Sequence, residues 1–195
     1  MDTTARPLGP PFFARDALVV ARALIGACLV RRGAHGVKRV ARIVETEAYR
    51  GPKDLACHAR AGLTKRTRSL LGPPGHAYVF LVYGMHECFN VVCGSEGRGH
   101  AVLVRAGEAV EGIAREARLD GPALFTRALG ITRALDGHHL FGPDLFVSAR
   151  ARRPRIGVSA RVGVAYAGEW ADRPWRFFDR ESKHVSRPNP RTIGR

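Results

Sequence analysis

The sequence predicts a single-domain α+β protein, on three observations. With 195 residues and 45% hydrophobic content, the chain can bury one good core. Residues 28–49 and 75–90 each place strand-forming residues on both sides of a turn, which is typical of β-hairpins. Segments with apolar residues at helical spacing lie before and after these hairpins, and no internal repeat is evident.

The first elements are a helix and a hairpin. Asp16 can cap a helix that runs to Leu24-Ile25, where Gly26 ends it. Leu29-Val30 and a return strand from Val40 to Tyr49 then form a hairpin around a turn at residues 33–36. The polar stretch from Arg50 to Gly75 that follows is predicted to be a long loop, and loops of this length are uncommon unless they are functional.

The second hairpin has a tyrosine at its tip. Aromatic and β-branched residues run up to Tyr83-Gly84 and resume beyond it as far as Asn90. An exposed ring at a hairpin tip is costly unless a partner receives it. The alternative is that this ring folds back onto its own sheet.

The C-terminal half is predicted to hold one strand and two helices. Ala101–Arg105 has the pattern of a buried strand, and Val110–Leu119 and Leu124–Leu129 those of helices. We therefore expect one domain over residues 1–187. The polar, proline-containing end at 188–195 is expected to be a mobile basic tail.

Charge points to a polyanionic partner. Lysine and arginine total 32 against 17 acidic residues, which gives a formal net charge of +15 and a sequence pI near 11.0. Nucleic acid is the first expectation and an anionic membrane surface the second. No segment approaches the roughly 18 apolar residues of a membrane span, and residues 1–11 lack the apolar run of a secretion signal. The sequence therefore predicts a soluble intracellular protein.

The cysteines do not predict a metal site. Cys28, Cys57, Cys88 and Cys93 show no paired short spacing, although Cys57-His58 with His86 could be imagined as zinc ligands. Because no second Cys-x-x-Cys closes that set, we expect reduced, mostly buried thiols, no metal and no cofactor.

The segment Ile43–Tyr49 carries the strongest candidate chemistry. As a strand it puts Glu45, Glu47 and Tyr49 on one face, because successive side chains alternate. An acidic pair in a basic protein is a candidate catalytic centre. The alternative is a strand edge whose glutamates face water.

Together these segments resemble the alkyladenine (3-methyladenine) DNA glycosylase family, which excises alkylated or deaminated purines from DNA. The resemblance runs from about Phe12 to Arg187. Its strongest pieces are Val44–Tyr49 with Gly51-Pro52, Asp54 and His58–Arg60, and Tyr78-Val79 through Tyr83–Met85 to Asn90; weaker pieces are Val102–Ala106 with Glu111-Gly112, Gly121-Pro122 with Ala128–Ile131, and Arg161–Val164 with Pro174–Phe177.

The resemblance implies a fold and an activity. The fold would be a curved antiparallel or mixed β-sheet flanked by helices, with a protruding hairpin that inserts into DNA. The enzyme would act as a monomer on double-stranded DNA that contains damaged purines, in the cytoplasm at a bacterial nucleoid or in a eukaryotic nucleus, and not at a membrane.

The resemblance also implies roles for single residues. Glu47 would activate water as the general base, since the sugar passes through an oxocarbenium-like state. Arg105 would lie near that water and the DNA backbone, or serve only as a buried ion-pair partner. The flipped base would stack on Tyr49, His58 and Phe80. Asn90 would oppose the 2-amino group of guanine, unless it only pairs with a neighbouring backbone group.

The remaining roles concern DNA. Tyr83 would fill the gap left by the flipped base, with Met85 and His86 beside it. Cations of the long loop would contact phosphates, namely Arg60, Lys65, Arg66 and Arg68. The chain has 28 arginines and only 4 lysines, and none of those lysines falls in the pocket segments, so a monofunctional enzyme is expected.

Three departures from the family pattern stand out. Phe80 replaces a common tyrosine, and Leu124 stands where many members have a lysine that contacts phosphate. The helical stretch after Arg105 is also shorter than in many members. Glu87 would be unfavourable beside phosphates unless an arginine such as Arg68 pairs with it.

Two other functions stay open on the sequence. One is a non-catalytic nucleic-acid-binding module, for which basic charge and exposed aromatic rings suffice. The other is a carbohydrate-acting hydrolase that uses Glu45 and Glu47, about 6.6 Å apart along a strand. The hydrolase leaves the net charge unexplained, and in the binding module the pair of Glu45 and Glu47 would be incidental. The resemblance gives the base role to Glu47 alone, so it implies a structural role for Glu45.

Overall fold

The computed structural model describes residues 6–33, 36–150 and 153–190. Three short α-helices lie in it: α1 (Pro10–Phe13), α2 (Ala17–Leu24) and α3 (Pro122–Leu129). The side chain of Asp16 accepts a hydrogen bond from the Leu18 N–H (2.9 Å), and Gly26 has a φ of 88° just past the helix. The predicted helix over 16–25 and the predicted helix at 124–129 are therefore confirmed.

Eight strands build a curled sheet in which the described pairings are antiparallel. Six of them lie side by side in the order β3-β4-β5-β2-β1-β6, and β8 joins β2 and β7. Their bounds are β1 (Cys28–Arg32), β2 (Lys38–Arg50), β3 (Ala77–Val82), β4 (His86–Cys93), β5 (His100–Glu111), β6 (Leu145–Ser148), β7 (Ile156–Ser159) and β8 (Arg176–Asp179).

Strand β2 is central to the sheet, because it pairs with three other strands. It is 13 residues long, so one edge pairs first with β1 and then, at Glu45–Glu47, with β8. Its other edge pairs with β5, and the register shifts around Glu45. Such bulges bend a strand and re-aim its side chains. This geometry turns the carboxylates of β2 into the concave interior.

The β3–β4 hairpin projects its tip into solvent. The N–H of Met85 donates to the carbonyl of Val82, and both Tyr83 and Gly84 have positive φ (52° and 72°). Positive φ at both central residues is the signature of a type I′ hairpin turn. Tyr83 is 87% exposed, so its ring does not fold back onto the sheet.

The helix predicted at Val110–Leu119 is wrong. Strand β5 continues to Glu111, and no helix is assigned among residues 112–121. Cross-strand pairing with β2 decides this, since Glu108 lies opposite Arg42 and forms an ion pair with it. Gly107 on the same strand permits the close packing of Phe125 of α3 against β5, because a β-carbon there would lie 2.6 Å from the Phe125 ring. Tertiary pairing here overrides the local helical pattern.

The main core lies between the sheet and the helices. Phe13, Leu24, Phe89 and Phe125 are fully buried in it. Residues 51–76 form turns around one short 3-10 helix at His58–Ala61, in agreement with the predicted long loop. Across the described ranges, no helix is long and apolar enough to cross a bilayer.

Two predictions fall partly outside the described residues. The first is the turn at 33–36, of which residues 34 and 35 are not described, and the second is the tail, of which residues 191–195 are not described. The carbonyl of Pro188, at the start of that tail, accepts hydrogen bonds from Arg176 at 3.1 and 3.2 Å. The mobility of the tail stays a prediction.

Candidate active site

A buried carboxylate on β2 forms the centre of the site. Glu47 is fully buried, and two neutral groups donate to it, one to each oxygen. The Val162 N–H lies 2.8 Å from Oε1, and the Tyr49 hydroxyl lies 2.8 Å from Oε2. Arg105 Nη1 lies 3.3 Å from Oε1. Glu47 itself does not line the adjoining pocket, but Tyr49, Arg105 and Val162, which contact its carboxylate, do.

The neighbouring carboxylate, Glu45, accepts hydrogen bonds on both oxygens, in a network that shares Arg105 with Glu47. Its Oε1 accepts from Arg105 Nε (2.8 Å) and from Arg176 Nε (2.7 Å). Ser186 donates its backbone N–H to Oε2 and its hydroxyl to Oε1. The two glutamates share a face, as predicted, but both are buried, so the alternative of a water-facing strand edge is wrong.

Arg105 joins the two carboxylates. It reaches Glu45 through Nε and Glu47 through Nη1, and it donates from Nη2 to the Ser186 hydroxyl (3.1 Å). The flanking carboxylates, chiefly Glu47, raise the pKa of this guanidinium although burial opposes them. Arg105 also lines the pocket, so both roles considered for it are compatible with its position.

An aromatic pocket of about 390 Å³ opens beside Glu47. All four predicted base-contacting residues line it, and so does Tyr78, for which the sequence suggested no role. The ring centroids of His58 and Phe80 are 4.7 Å apart, and those of Tyr78 and Phe80 are 5.0 Å apart. The predicted residues are Tyr49, His58, Phe80 and Asn90.

Hydrogen bonds and burial fix the protonation of these rings. His58 Nδ1 and the Tyr78 hydroxyl are hydrogen-bonded at 2.9 Å. Burial, with a contribution from nearby Arg66, lowers the pKa of His58 to about 4, so the ring is neutral near pH 7. Burial and then the charge of Glu47 raise the pKa of Tyr49 well above its usual value, so its hydroxyl remains a donor.

Asn90 holds its place through the backbone of the adjacent strand. Its Nδ2 donates to the carbonyl of Tyr78 at 3.1 Å, and the residue is only 4% exposed. Asn90 therefore pairs with a neighbouring backbone group and also lines the pocket. The two roles considered for it coexist.

The predicted DNA-contacting residues lie around the mouth of the pocket and on the adjoining loop. Tyr83 and His86 line the pocket, and Met85 stands beside them with 71% exposure. The Arg66 guanidinium lies 4.9 Å from the Phe80 ring centroid, on the side of a smaller neighbouring cleft. The loop cations are all exposed, namely Arg60, Lys65, Arg66 and Arg68.

Glu87 has a different partner from the one suggested by the sequence. Its Oε1 lies 3.6 Å from Arg133 Nε and accepts from the Arg133 N–H at 3.3 Å. The suggested pairing with Arg68 is therefore wrong, because α3 and the turn after it bring Arg133 to β4 instead. Leu124 is half-buried on α3.

The cysteines are free and buried, as predicted. Burial raises the pKa of Cys57 and of Cys88 to about 11, which keeps both as unreactive thiols near neutral pH. Within the described residues, no three metal-ligating side chains of the His, Cys, Asp or Glu type cluster together.

Two participants had no signal in the sequence. A main-chain N–H such as that of Val162 has no residue-type signature, and Ser186 is 141 positions from Glu45. Arg161–Val164 was noted only as a weak piece of the resemblance. Only the folded chain shows that this segment reaches Glu47.

Comparisons with known proteins agree on one family. Residues 11–183 match the family model described as methylpurine-DNA glycosylase (MPG). A Myxococcus xanthus protein named "Putative 3-methyladenine DNA glycosylase" is 54% identical over 181 residues, which cover 92% of this chain and 93% of the relative. Proteins with the same name from Methanocella arvoryzae and Legionella pneumophila are 46% and 43% identical, over 93% of this chain and 96% and 99% of the relatives.

Proposed function

Because this chain belongs to the methylpurine-DNA glycosylase family and is a DNA glycosylase, we propose that it is monofunctional and uses Glu47 to activate water. An alkylated or deaminated purine, such as 3-methyladenine, hypoxanthine or ethenoadenine, would flip into the aromatic pocket. The observation that carries this proposal is a fully buried carboxylate immediately behind that pocket, with one neutral donor on each oxygen.

The chemistry suits a charged Glu47. Cleavage of the N-glycosidic bond develops positive charge on the sugar, and a nearby carboxylate offsets that charge and takes a proton from the attacking water. Arg105 places a positive charge 3.3 Å from Oε1 of this carboxylate. Water would approach from the pocket side, between the Tyr49 and Arg105 side chains that line it.

The pocket walls suit a flat, neutral or cationic base. Tyr49, His58 and Phe80 offer ring faces for stacking, and a neutral His58 adds no repulsion of its own. Asn90 would exclude guanine by meeting its 2-amino group. No lysine lines the pocket, which supports hydrolysis rather than a Schiff-base step that cuts the strand.

The hairpin tip supports a role in base flipping. Tyr83 is an exposed aromatic residue held at positive φ, a conformation that bulky residues rarely adopt without a functional reason. We propose that its ring enters the duplex where the purine has left, while Met85 and His86 contact the groove. Phosphates would then meet the exposed cations Arg60, Lys65, Arg66 and Arg68.

The two alternative functions are less well supported. A simple binding module gains nothing from a buried carboxylate, which is costly to desolvate. A hydrolase with two working carboxylates would need Glu45 free, yet Arg105, Arg176 and Ser186 occupy it. The partner that we propose is double-stranded DNA that contains damaged purines. We further propose that the enzyme is a monomer and acts at the bacterial nucleoid.

The proposal is tested by incubation with three duplexes, each with one lesion: hypoxanthine, ethenoadenine or 3-methyladenine. Release of the base leaves an abasic site that alkali cleaves. We expect alkali-dependent strand breaks at the lesion on at least one duplex, and none on an undamaged duplex of the same sequence. Breaks that need no alkali would contradict a monofunctional enzyme, and no breaks on any duplex would contradict the proposed substrates.

A further inference from the structure

Arg161 is a buried residue that connects Ala48, Asp54 and Trp170 through hydrogen bonds, and it does not line the pocket. Its side chain is fully buried, and both terminal nitrogens donate hydrogen bonds to the Asp54 carboxylate, at 2.6 and 2.9 Å. The same nitrogens donate to the carbonyls of Ala48 and Trp170, each at 3.0 Å. A guanidinium that makes such a forked contact is fixed in orientation as well as in position.

Asp54 is fastened to the end of β2 by the backbone. It is fully buried, and its two oxygens accept from the N–H groups of Arg50 and Ala56, both at 3.1 Å. The pair of Arg161 and Asp54 therefore ties the segment after β7 to the turn that follows β2. That turn begins at Gly51, where a β-carbon would lie 2.4 Å from the Arg98 carbonyl.

Arg161 lies next to both neutral groups that donate hydrogen bonds to Glu47. Val162 is the next residue after Arg161, and its N–H reaches Oε1 at 2.8 Å. The Arg161 guanidinium also lies 4.8 Å from the ring centroid of Tyr49, whose hydroxyl reaches Oε2. One buried side chain thus contacts the ring that donates to one oxygen and adjoins the amide that donates to the other.

We propose that Arg161 and Asp54 are a positioning pair for the reaction, which together hold the Val162 amide and the Tyr49 ring so that Glu47 is fixed at both oxygens. This inference rests on the proposed function. Neither residue lines the pocket, and both are connected to Glu47 through Val162 and Tyr49. Misplacement of a catalytic group by about 1 Å can cost about 100-fold in rate, so the pair affects the reaction through geometry.

The electrostatic consequence can be separated from fold stability. The charged and titratable groups around Glu47 are Glu45 and Tyr49 on β2, Arg105 on β5, Cys88 on β4 and Arg161 itself. With Arg161 gone, the surroundings of Glu47 lose a positive charge and the fixed N–H of Val162, and the negative charge of Asp54 is left unpaired. The acid limb of the pH–rate profile should then move to higher pH, whereas general destabilisation would not move it.

The test is Arg161→Met, measured by single-turnover excision of the best lesion at saturating enzyme. We expect a rate about 100-fold lower near neutral pH, an acid limb about one pH unit higher, and affinity for the lesion duplex within about threefold. Arg42→Met is the matched control. Like Arg161, Arg42 is paired with acidic side chains, here Asp179 and Glu108, but it is not paired with Glu47. It should leave rate and pH profile nearly unchanged.

A second variant covers the case in which Arg161→Met fails to fold. Asp54→Asn keeps the shape of the side chain but removes the charge that orients Arg161, and it should lower the rate by a smaller factor. Because Arg161 keeps its positive charge in this variant, the acid limb should not move to higher pH, and the Val162 amide is the readout instead. In the ¹⁵N–¹H spectrum of the wild type, the chemical shift of the Val162 amide should change over the same pH range as the acid limb. In a folded Asp54→Asn variant this amide should lose most of that response.

The outcomes are distinguishable from those of the proposed function. A slower Arg161→Met with an unshifted acid limb, or a slower Asp54→Asn with an unchanged Val162 amide response, would overturn the positioning role and leave only a structural one. Full activity of both variants would overturn it as well. If Glu47→Gln is inactive in either case, the proposed function stands and only this inference fails.

Discussion

Ser186 donates two hydrogen bonds to Glu45, from its backbone N–H to Oε2 at 2.6 Å and from its hydroxyl to Oε1 at 2.9 Å. These contacts close the C-terminal segment over the middle of β2. Arg105 and Arg176 also donate to Glu45, so its carboxylate is occupied by structural contacts. The two glutamates of the Glu-Thr-Glu segment therefore have different roles, Glu45 in structure and Glu47 in the proposed reaction.

The first prediction is that Glu45→Gln lowers stability. The amide keeps the shape but removes the charge that balances Arg105 and Arg176, and loss of one partner from a buried ion pair costs about 3–5 kcal/mol. Denaturant unfolding should show this loss. As a control, Glu111→Gln removes an exposed partner of Lys38 and should change stability by less than about 1 kcal/mol. Equal effects in the two variants would contradict the structural role.

The second prediction concerns acid sensitivity through His58. Its pKa is about 4 in the fold against 6.5 ordinarily, so the unfolded chain binds more protons between these values. Stability should therefore fall as pH drops from about 6.5 to 4. His58→Gln lacks this contribution, and its melting temperature should fall less across that range. His86→Gln, at an exposed histidine, is the control and should track the wild type. If His58→Gln tracks the wild type in the same way, the lowered pKa of His58 does not cause the acid sensitivity.

The third prediction is that Tyr83→Ala weakens binding to a lesion duplex about tenfold, because the ring offsets the cost of unstacking. Binding to a single strand with the same lesion should change by less than about threefold. Fluorescence anisotropy with both ligands measures the difference. Leu63→Ala removes another exposed apolar side chain and is the control. Equal losses on both ligands would mean that Tyr83 is only a general stacking surface.

The fourth prediction is that Asn90→Ser relaxes discrimination against guanine. The shorter side chain leaves room for a 2-amino group, so excision of guanine relative to hypoxanthine should rise about tenfold. The ratio within one variant removes any common effect of the lost hydrogen bond to the Tyr78 carbonyl. An unchanged ratio would show that Asn90 does not face the C2 edge of the base.

Much of the fold follows from local signals in the sequence. The Asp16 cap, the two hairpins and the Glu47-to-Tyr49 alternation are properties of neighbouring residues, and the structure has all of them. The failures are long-range. The helix expected at Val110–Leu119 gives way to pairing with β2, and the partner of Glu87 is set by where α3 lies.

The site follows the same division. The resemblance supplied the residue types of the pocket, and the structure brings Tyr49, His58, Phe80 and Asn90 to one cavity. Besides Tyr49 and Arg105, the groups that hold Glu47 and Glu45 come from residues 162–186, more than 110 positions away. A backbone N–H and a buried serine have no pattern in the sequence that links them to β2.

Single-turnover excision by Glu47→Gln tests the central claim most directly. If Glu47 activates water, this variant should be at least about 100-fold slower than the wild type while it still binds the lesion duplex. Glu108→Gln, at a partly buried carboxylate that is also paired with an arginine, should excise at nearly the wild-type rate. Excision by Glu47→Gln at the wild-type rate would remove Glu47 from the mechanism and contradict the account.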